Sequence, residues 1–135
     1  PRFPTPDQML SLPEERLLKS GLSRNKTQAI RDLAVKILHG DLKLRGIARH
    51  DDAEVINRLT TVWGIGEWTA QMFLIFKLGR LDVMPTGDLG VQEGVRLLDG
   101  LTERPTPEAL FDRAICWRPL RSVAAWYLWR LADNR

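Results

Sequence analysis

Gly64 and Gly66 stand one residue apart within Leu59-Thr60-Thr61-Val62-Trp63-Gly64-Ile65-Gly66-Glu67-Trp68-Thr69-Ala70, and Asp88 follows twenty-two residues after Gly66, with Gly87 and Gly90 beside it. Glycine tolerates backbone dihedrals closed to other residues and lets a second backbone come close. Gly64-Ile65-Gly66 therefore reads as a tight hairpin between two helices with its amides turned outward. The helix that follows begins with N–H groups lacking intrahelical acceptors, and such an end favours an anion, phosphate being the common one. The hairpin suits phosphate contacts that position a protein without reading sequence. Asp88 then offers a carboxylate for catalysis. Plainer readings stand beside these. Gly-x-Gly turns occur without any ligand, Asp is favoured as a helix N-cap, and tryptophans such as Trp68 and Trp129 are commonly core. Five tryptophans in 135 residues are nevertheless plentiful, and aromatic rings are what an extruded base stacks on.

The elements that must hold these residues are helices. Thr5 reads as an N-cap with Pro6 at the first helical position, where its missing N–H costs nothing. Ser11-Leu12-Pro13-Glu14 starts a second helix that ends near Gly21. Ser23 caps a third, from Arg24 to His39, stopped by Gly40; Ile30, Leu33, Ala34, Ile37 and Leu38 recur along it at helical spacing. Arg24, Lys26, Arg31 and Lys36 populate its other face, as a solvated or a DNA-facing surface. Asp41 to Arg49 suggests a short helix containing Leu44 and Ile47. Asp51-Asp52-Ala53-Glu54 reads as a capping box, and Val55, Ile56, Leu59 and Val62 carry an amphipathic helix into the hairpin. Beyond the hairpin, Trp68, Met72, Ile75 and Phe76 continue at helical intervals up to Gly79. A connector with Pro85 leads to Asp88 at the start of a helix over Leu89 to Leu98. Thr106-Pro107 opens the next, through about Trp117; Arg118-Pro119 breaks it, and a last helix runs from about Leu120 to Ala132. The expected fold class is all-α, a multi-helix domain with a helix–hairpin–helix motif.

The bulk properties narrow the function classes. A net charge of +3 with a pI near 9.4 permits a polyanion partner. The single cysteine rules out an internal disulfide, a four-cysteine zinc site and a cysteine-ligated iron–sulfur cluster. Cys116 sits among apolar neighbours and reads as a small core residue. His39 and His50 show no metal-ligand spacing and read as surface or cap residues. No apolar run approaches the roughly 20 residues of a membrane span. Neither a phosphate-binding Gly-x-x-x-x-Gly-Lys-Ser/Thr loop nor a Gly-x-Ser-x-Gly elbow is present.

Taken together, Leu59 to Ala70, then Asp82-Val83-Met84-Pro85-Thr86-Gly87-Asp88-Leu89-Gly90, resemble the helix–hairpin–helix DNA glycosylase superfamily, and most closely its bacterial DNA-3-methyladenine glycosylase II branch. Trp117-Arg118-Pro119-Leu120-Arg121-Ser122, Phe3-Pro4-Thr5-Pro6 and Gly21-Leu22-Ser23-Arg24-Asn25-Lys26 fit the same branch, so the resemblance covers nearly the whole chain. It implies one glycosylase domain over residues 1–135, and family domains carry several helices before the Phe-Pro-Thr-Pro segment. The sequence is therefore expected to be a fragment lacking those helices and the wedge residue they supply, impaired when alone.

The resemblance implies base-excision repair of double-stranded DNA containing damaged bases, by an intracellular, cytoplasmic, nucleoid-associated monomer that needs no membrane. Asp88 becomes the catalytic carboxylate: breaking an N-glycosidic bond develops positive charge on the sugar, which a carboxylate stabilises, and it could also orient the attacking water. An alkylated purine such as 3-methyladenine is cationic and already a good leaving group, and electron-rich rings receive a cation well. Trp68, Met72 and Trp129 match positions lining the base pocket, with Met72 where the close bacterial relative has Tyr. Gly64, Ile65, Gly66, Glu67, Trp68 and Thr69 match the DNA-facing hairpin. No cofactor is required, but main-chain carbonyls of Thr60, Val62 and Gly64 match those that hold a monovalent cation. Lyase-competent members carry Lys before the Thr-Ala pair, an amine nucleophile; Trp68 stands there, so a monofunctional glycosylase is expected. Uracil, mismatched or oxidised bases remain alternative lesions, and a non-catalytic DNA-binding module the alternative class.

Overall fold

In the computed structural model, residues 3–134 are described, and among them the secondary structure is helical without strands. Eight α-helices are formed: α1 Pro6–Ser11, α2 Glu14–Lys19, α3 Arg24–His39, α4 Asp52–Thr60, α5 Glu67–Met72, α6 Leu89–Leu98, α7 Pro107–Arg113 and α8 Arg121–Asp133. Short 3₁₀ turns at Ile47–Arg49 and Ala114–Trp117 and a π-turn at Phe73–Lys77 complete them. The chain divides into two compact units, Pro1–Ala70 and Gln71–Arg135. No helix of the described residues is long and apolar enough to cross a membrane.

In the first unit the caps stand where the sequence puts them. Thr5 Oγ1 accepts from Gln8 N while Thr5 N donates to Gln8 Oε1, a reciprocal box that satisfies two end amides of α1. Ser23 caps α3 through Lys26 N, and Gly40 ends it at φ +83°, a left-handed closure suited to glycine. Met9, Leu17 and Ala34 form a buried cluster, with Leu10, Leu12, Leu22 and Ile30 packed on it. Three expectations change here. Arg31 is not part of a solvated or DNA-facing stripe: its guanidinium donates to the carbonyls of Leu12 and Leu10 at 3.0 and 3.4 Å, tying the α1–α2 corner to α3. The 41–49 segment forms only the 3₁₀ turn, entered through Gly46 at φ +82°. The Asp51 box is one-sided: Asp51 Oδ1 accepts from Glu54 N at 2.8 Å, but Glu54 Oε1 turns to Arg58 Nε at 2.6 Å, an i,i+4 pair that competes for its side chain.

In the second unit, α6 and α8 cross closely because Gly94 has no side chain. A Cβ there would lie 2.4 Å from the Leu128 carbonyl oxygen. Met84, Val91, Val95, Leu110, Ala114, Ala125 and Leu128 fill the core around this crossing. Thr106 caps α7 through Ala109 N, with Pro107 following. Cys116 is exposed rather than core, its sulfur beside the Arg113 guanidinium at 3.0 Å. It lies on the 3₁₀ turn that α7 becomes, and the tighter winding rotates it off the apolar stripe.

Candidate DNA-binding and base-excision site

The hairpin is built by α4, α5 and α3. Leu59 and Val62 are buried, Val62 N closes on Leu59 O at 3.1 Å and Ile65 N on Val62 O at 3.1 Å. Trp63 N donates to Asp32 Oδ2 at 2.7 Å, so a carboxylate thirty-one residues upstream holds the turn against α3. Nothing local in the sequence signals that pairing. The two glycines differ in kind. Gly64 takes φ +78°, and a Cβ on it would meet Ala29 Cβ at 3.1 Å. Gly66 has no positive φ and open space where a side chain would go. Gly64 thus shapes the hairpin, and Gly66 is the position at which another backbone could approach. Thr60, Val62, Gly64, Ile65 and Gly66 line one concavity together with Asp32 and Lys36. Glu67, Trp68 and Thr69 form the first turn of α5, all exposed, Trp68 at 52%.

The second unit holds Asp88, Met72 and Trp129. Met72 ends α5 and is half-buried. Beyond it the helix widens into the π-turn, where Leu78 N reaches back to Phe73 O at 3.1 Å. Phe76 is thereby placed 66% exposed and stacked on Trp129, ring centroids 5.9 Å apart and 25° from parallel. The 3.6-residue periodicity put Phe76 in an apolar stripe; the π-turn shifts its register, and such turns often mark functional sites.

Asp88 is held from both sides of the chain. Its Oδ1 accepts from Val91 N at 2.9 Å as the N-cap of α6 and from Trp129 Nε1 at 2.8 Å. Asp88 N closes a turn on Pro85 O at 3.0 Å, and Gln92 Nε2 donates to Thr86 O at 2.8 Å. Upstream, the connector is clamped by the start of α8. Arg121 reaches both carboxylate oxygens of Asp82 at 2.7 and 3.0 Å and the Asp82 carbonyl at 2.9 Å. Ser122 N donates to Leu81 O, and its hydroxyl accepts from Val83 N at 2.9 Å and donates to Val83 O at 3.2 Å. The Arg121 guanidinium, by hydrogen bonding, holds the Asp82 carboxyl below its ordinary value. N-cap and catalytic readings of Asp88 are therefore compatible: the cap fixes the carboxylate that the chemistry would use. Sequence reasoning missed Asp32, Phe76 and Gln92, and recognised Arg121-Ser122 as a motif without its clamping role.

An all-helical domain with a glycine hairpin between two helices and a carboxylate capping the helix after a pinned connector defines a helix–hairpin–helix protein. Residues 1–119 match the HhH-GPD superfamily of base excision DNA repair proteins, and the chain belongs to that family. It is 38% identical over 136 residues to DNA-3-methyladenine glycosylase 1 of Schizosaccharomyces pombe, covering 98% of this chain and 60% of that protein. It is 28% identical over 127 residues to DNA-3-methyladenine glycosylase 2 of Escherichia coli, covering 94% of this chain and 42% of that one. A solved structure of the S. pombe 3-methyladenine DNA glycosylase in complex with abasic DNA superimposes with a TM-score of 0.89 at 36% identity, over 96% of this chain and 63% of the other. The chain thus spans between 42% and 63% of the length of these relatives.

Proposed function

We propose that this chain carries the hairpin and the catalytic carboxylate of a monofunctional DNA glycosylase that hydrolyses the N-glycosidic bond of alkylated purines such as 3-methyladenine in double-stranded DNA. The observation that carries the reading is the Asp88 carboxylate, fixed by a backbone amide and an indole N–H at the end of a clamped connector, in a chain whose relatives include 3-methyladenine glycosylases. Asp88 stabilises the positive charge that grows on the sugar as the base departs, and orients the water that completes hydrolysis. Gly64, Ile65, Gly66, Glu67, Trp68 and Thr69 grip the backbone of the duplex. The Ile65 amide is spent on Val62 O, so the grip falls to the Gly66 region and the first turn of α5. Trp68 and Met72, both on α5, are the candidates for the wall of the base pocket.

A monovalent cation fits the hairpin better than a divalent one. The donors of Thr60, Val62 and Gly64 would be neutral carbonyls, and no His/Cys/Asp/Glu cluster of metal-binding size occurs among the described residues. Val62 O already accepts from Ile65 N and retains a second lone pair for an ion. When bound, such an ion adds positive charge at the phosphate grip.

The test compares base release from methylated and uracil-containing duplexes by the native sequence and by Asp88→Asn. Release of methylated purines that Asp88→Asn abolishes supports the reading. Release of uracil alone replaces the substrate class, and duplex binding without any cleavage reduces the chain to a binding module.

A further inference from the structure

We propose that Trp129 is a positioning residue for the Asp88 carboxylate, buttressed by Phe76, and not the surface on which the extruded base stacks. The proposal deepens the glycosylase reading above and rests on it. Three observations converge. The first is the hydrogen bond: Trp129 Nε1–H and Val91 N–H meet the same carboxylate oxygen at 2.8 and 2.9 Å, from different helices. Two donors on one oxygen restrict rotation about both side-chain torsions of Asp88, and bonds to an ionised group are the stronger kind. The second is the packing of the indole. Phe76 stacks on it at 5.9 Å, and the ring also packs against the core cluster around the α6–α8 crossing. Phe76 thus already occupies a face of the indole that a purine would use. The third is Gly90. A Cβ there would stand 2.9 Å from Trp129 Cδ1 and 3.1 Å from Asp88 Oδ1. The absence of that one side chain lets the indole edge reach the carboxylate.

Phe76 has the complementary arrangement. Its ring is two-thirds exposed, and the π-turn Phe73–Lys77 sets it over the indole. Aromatic pairs offset in this way add modestly to the packing of the buried partner, so Phe76 keeps Trp129 in the orientation its hydrogen bond needs. This assigns Trp129 a role in the rate of bond breaking and leaves affinity to other groups.

Trp129→Phe separates these roles, because it keeps an aromatic ring for Phe76 while removing the N–H together with the five-membered ring that carries it. Single-turnover release from methylated duplex should fall roughly tenfold or more, while Kd for a duplex carrying a non-hydrolysable 2′-fluoro analogue of the methylated nucleotide stays within about twofold. Phe76→Leu should reproduce part of the rate loss. In ¹⁵N-labelled protein, the Trp129 indole N–H resonance should shift when Asp88→Ala is introduced, a signature that needs no turnover. Trp129→Phe acting at the native rate while Asp88→Asn is inactive would overturn the positioning role and leave the glycosylase reading standing. Loss of affinity with an unchanged rate would make Trp129 a stacking surface, and an unmoved indole resonance would deny the bond. If Asp88→Asn cleaves normally, the underlying catalytic assignment fails instead.

Discussion

Gly64→Ala and Gly66→Ala are expected to have opposite signatures, although the two residues share one motif. Alanine at 64 must adopt φ +78° and place its Cβ 3.1 Å from Ala29 Cβ. The left-handed conformation alone costs roughly 1–2 kcal/mol for a residue with a Cβ. The tight contact adds a few tenths more, because α3 gives only slightly at Ala29. A total loss of about 1.3–2.5 kcal/mol follows, near 5–10 °C in Tm for a domain of this size. Alanine at 66 meets no atom within 4 Å and no positive φ, so its stability change should stay within about 0.5 kcal/mol. Its methyl group instead stands where a phosphate would come, and affinity for duplex DNA should fall about tenfold, or 1.4 kcal/mol. Urea melts give the first quantity, and fluorescence anisotropy with a labelled abasic duplex at fixed salt gives the second. Equal destabilisation by the two variants would refute the division of labour between the glycines. So would native affinity in Gly66→Ala.

Gly94→Ala should be the most destabilising single methyl in the second unit. Its Cβ would overlap the Leu128 carbonyl oxygen, and forcing α6 and α8 apart typically costs 1–3 kcal/mol or more, readable as a lowered urea midpoint. Acid should weaken the fold through Asp82 and Asp99. Hydrogen bonds from Arg121 and Arg113 hold both carboxyls below their ordinary values. Their contribution is present above the unfolded value near pH 3.9 and is lost as pH falls through the lower folded values. Asp82→Asn should flatten that acid limb in a pH series of thermal melts, and an unchanged limb would remove the pair from the explanation. Incubation with abasic DNA and borohydride should trap no covalent adduct, since Trp68 stands where a nucleophilic lysine would be needed; a trapped adduct would show lyase chemistry.

N-cap positions in the chain were legible, although the Asp51 box closed on one side only, and long-range pairings were not. Thr5, Ser23, Thr106 and Asp88 are N-caps as their residue types suggest, because capping depends on neighbours three residues away. The all-α class follows from the same punctuation. By contrast, Asp32 with Trp63 and Asp82 with Arg121 pair across 31 and 39 residues, and no periodicity encodes such meetings. Phe76 and Cys116 were misplaced for one reason: each lies where the helix changes its winding, so a fixed 3.6-residue period assigns the wrong face. Asp88 was legible as a candidate from its distance to the hairpin, but its second partner, Trp129, lies 41 residues on.

The clamp at the start of α8 also governs where the Asp88 carboxylate is placed. Ser122 grips the connector at Val83 and Trp129 grips Asp88, and both belong to the same rigid rod. Their spacing along the axis is set by helical rise, about 10 Å for seven residues. The loop that ends at Asp88 is thus suspended between two pegs on one jig, and its geometry is dictated by α8 more than by its own sequence. A residue inserted into α8 between the pegs would turn one of them by about 100° relative to the other and cast the carboxylate adrift. The stretch from Gly100 to Arg104, which carries neither peg, should accept the same insertion with far less effect.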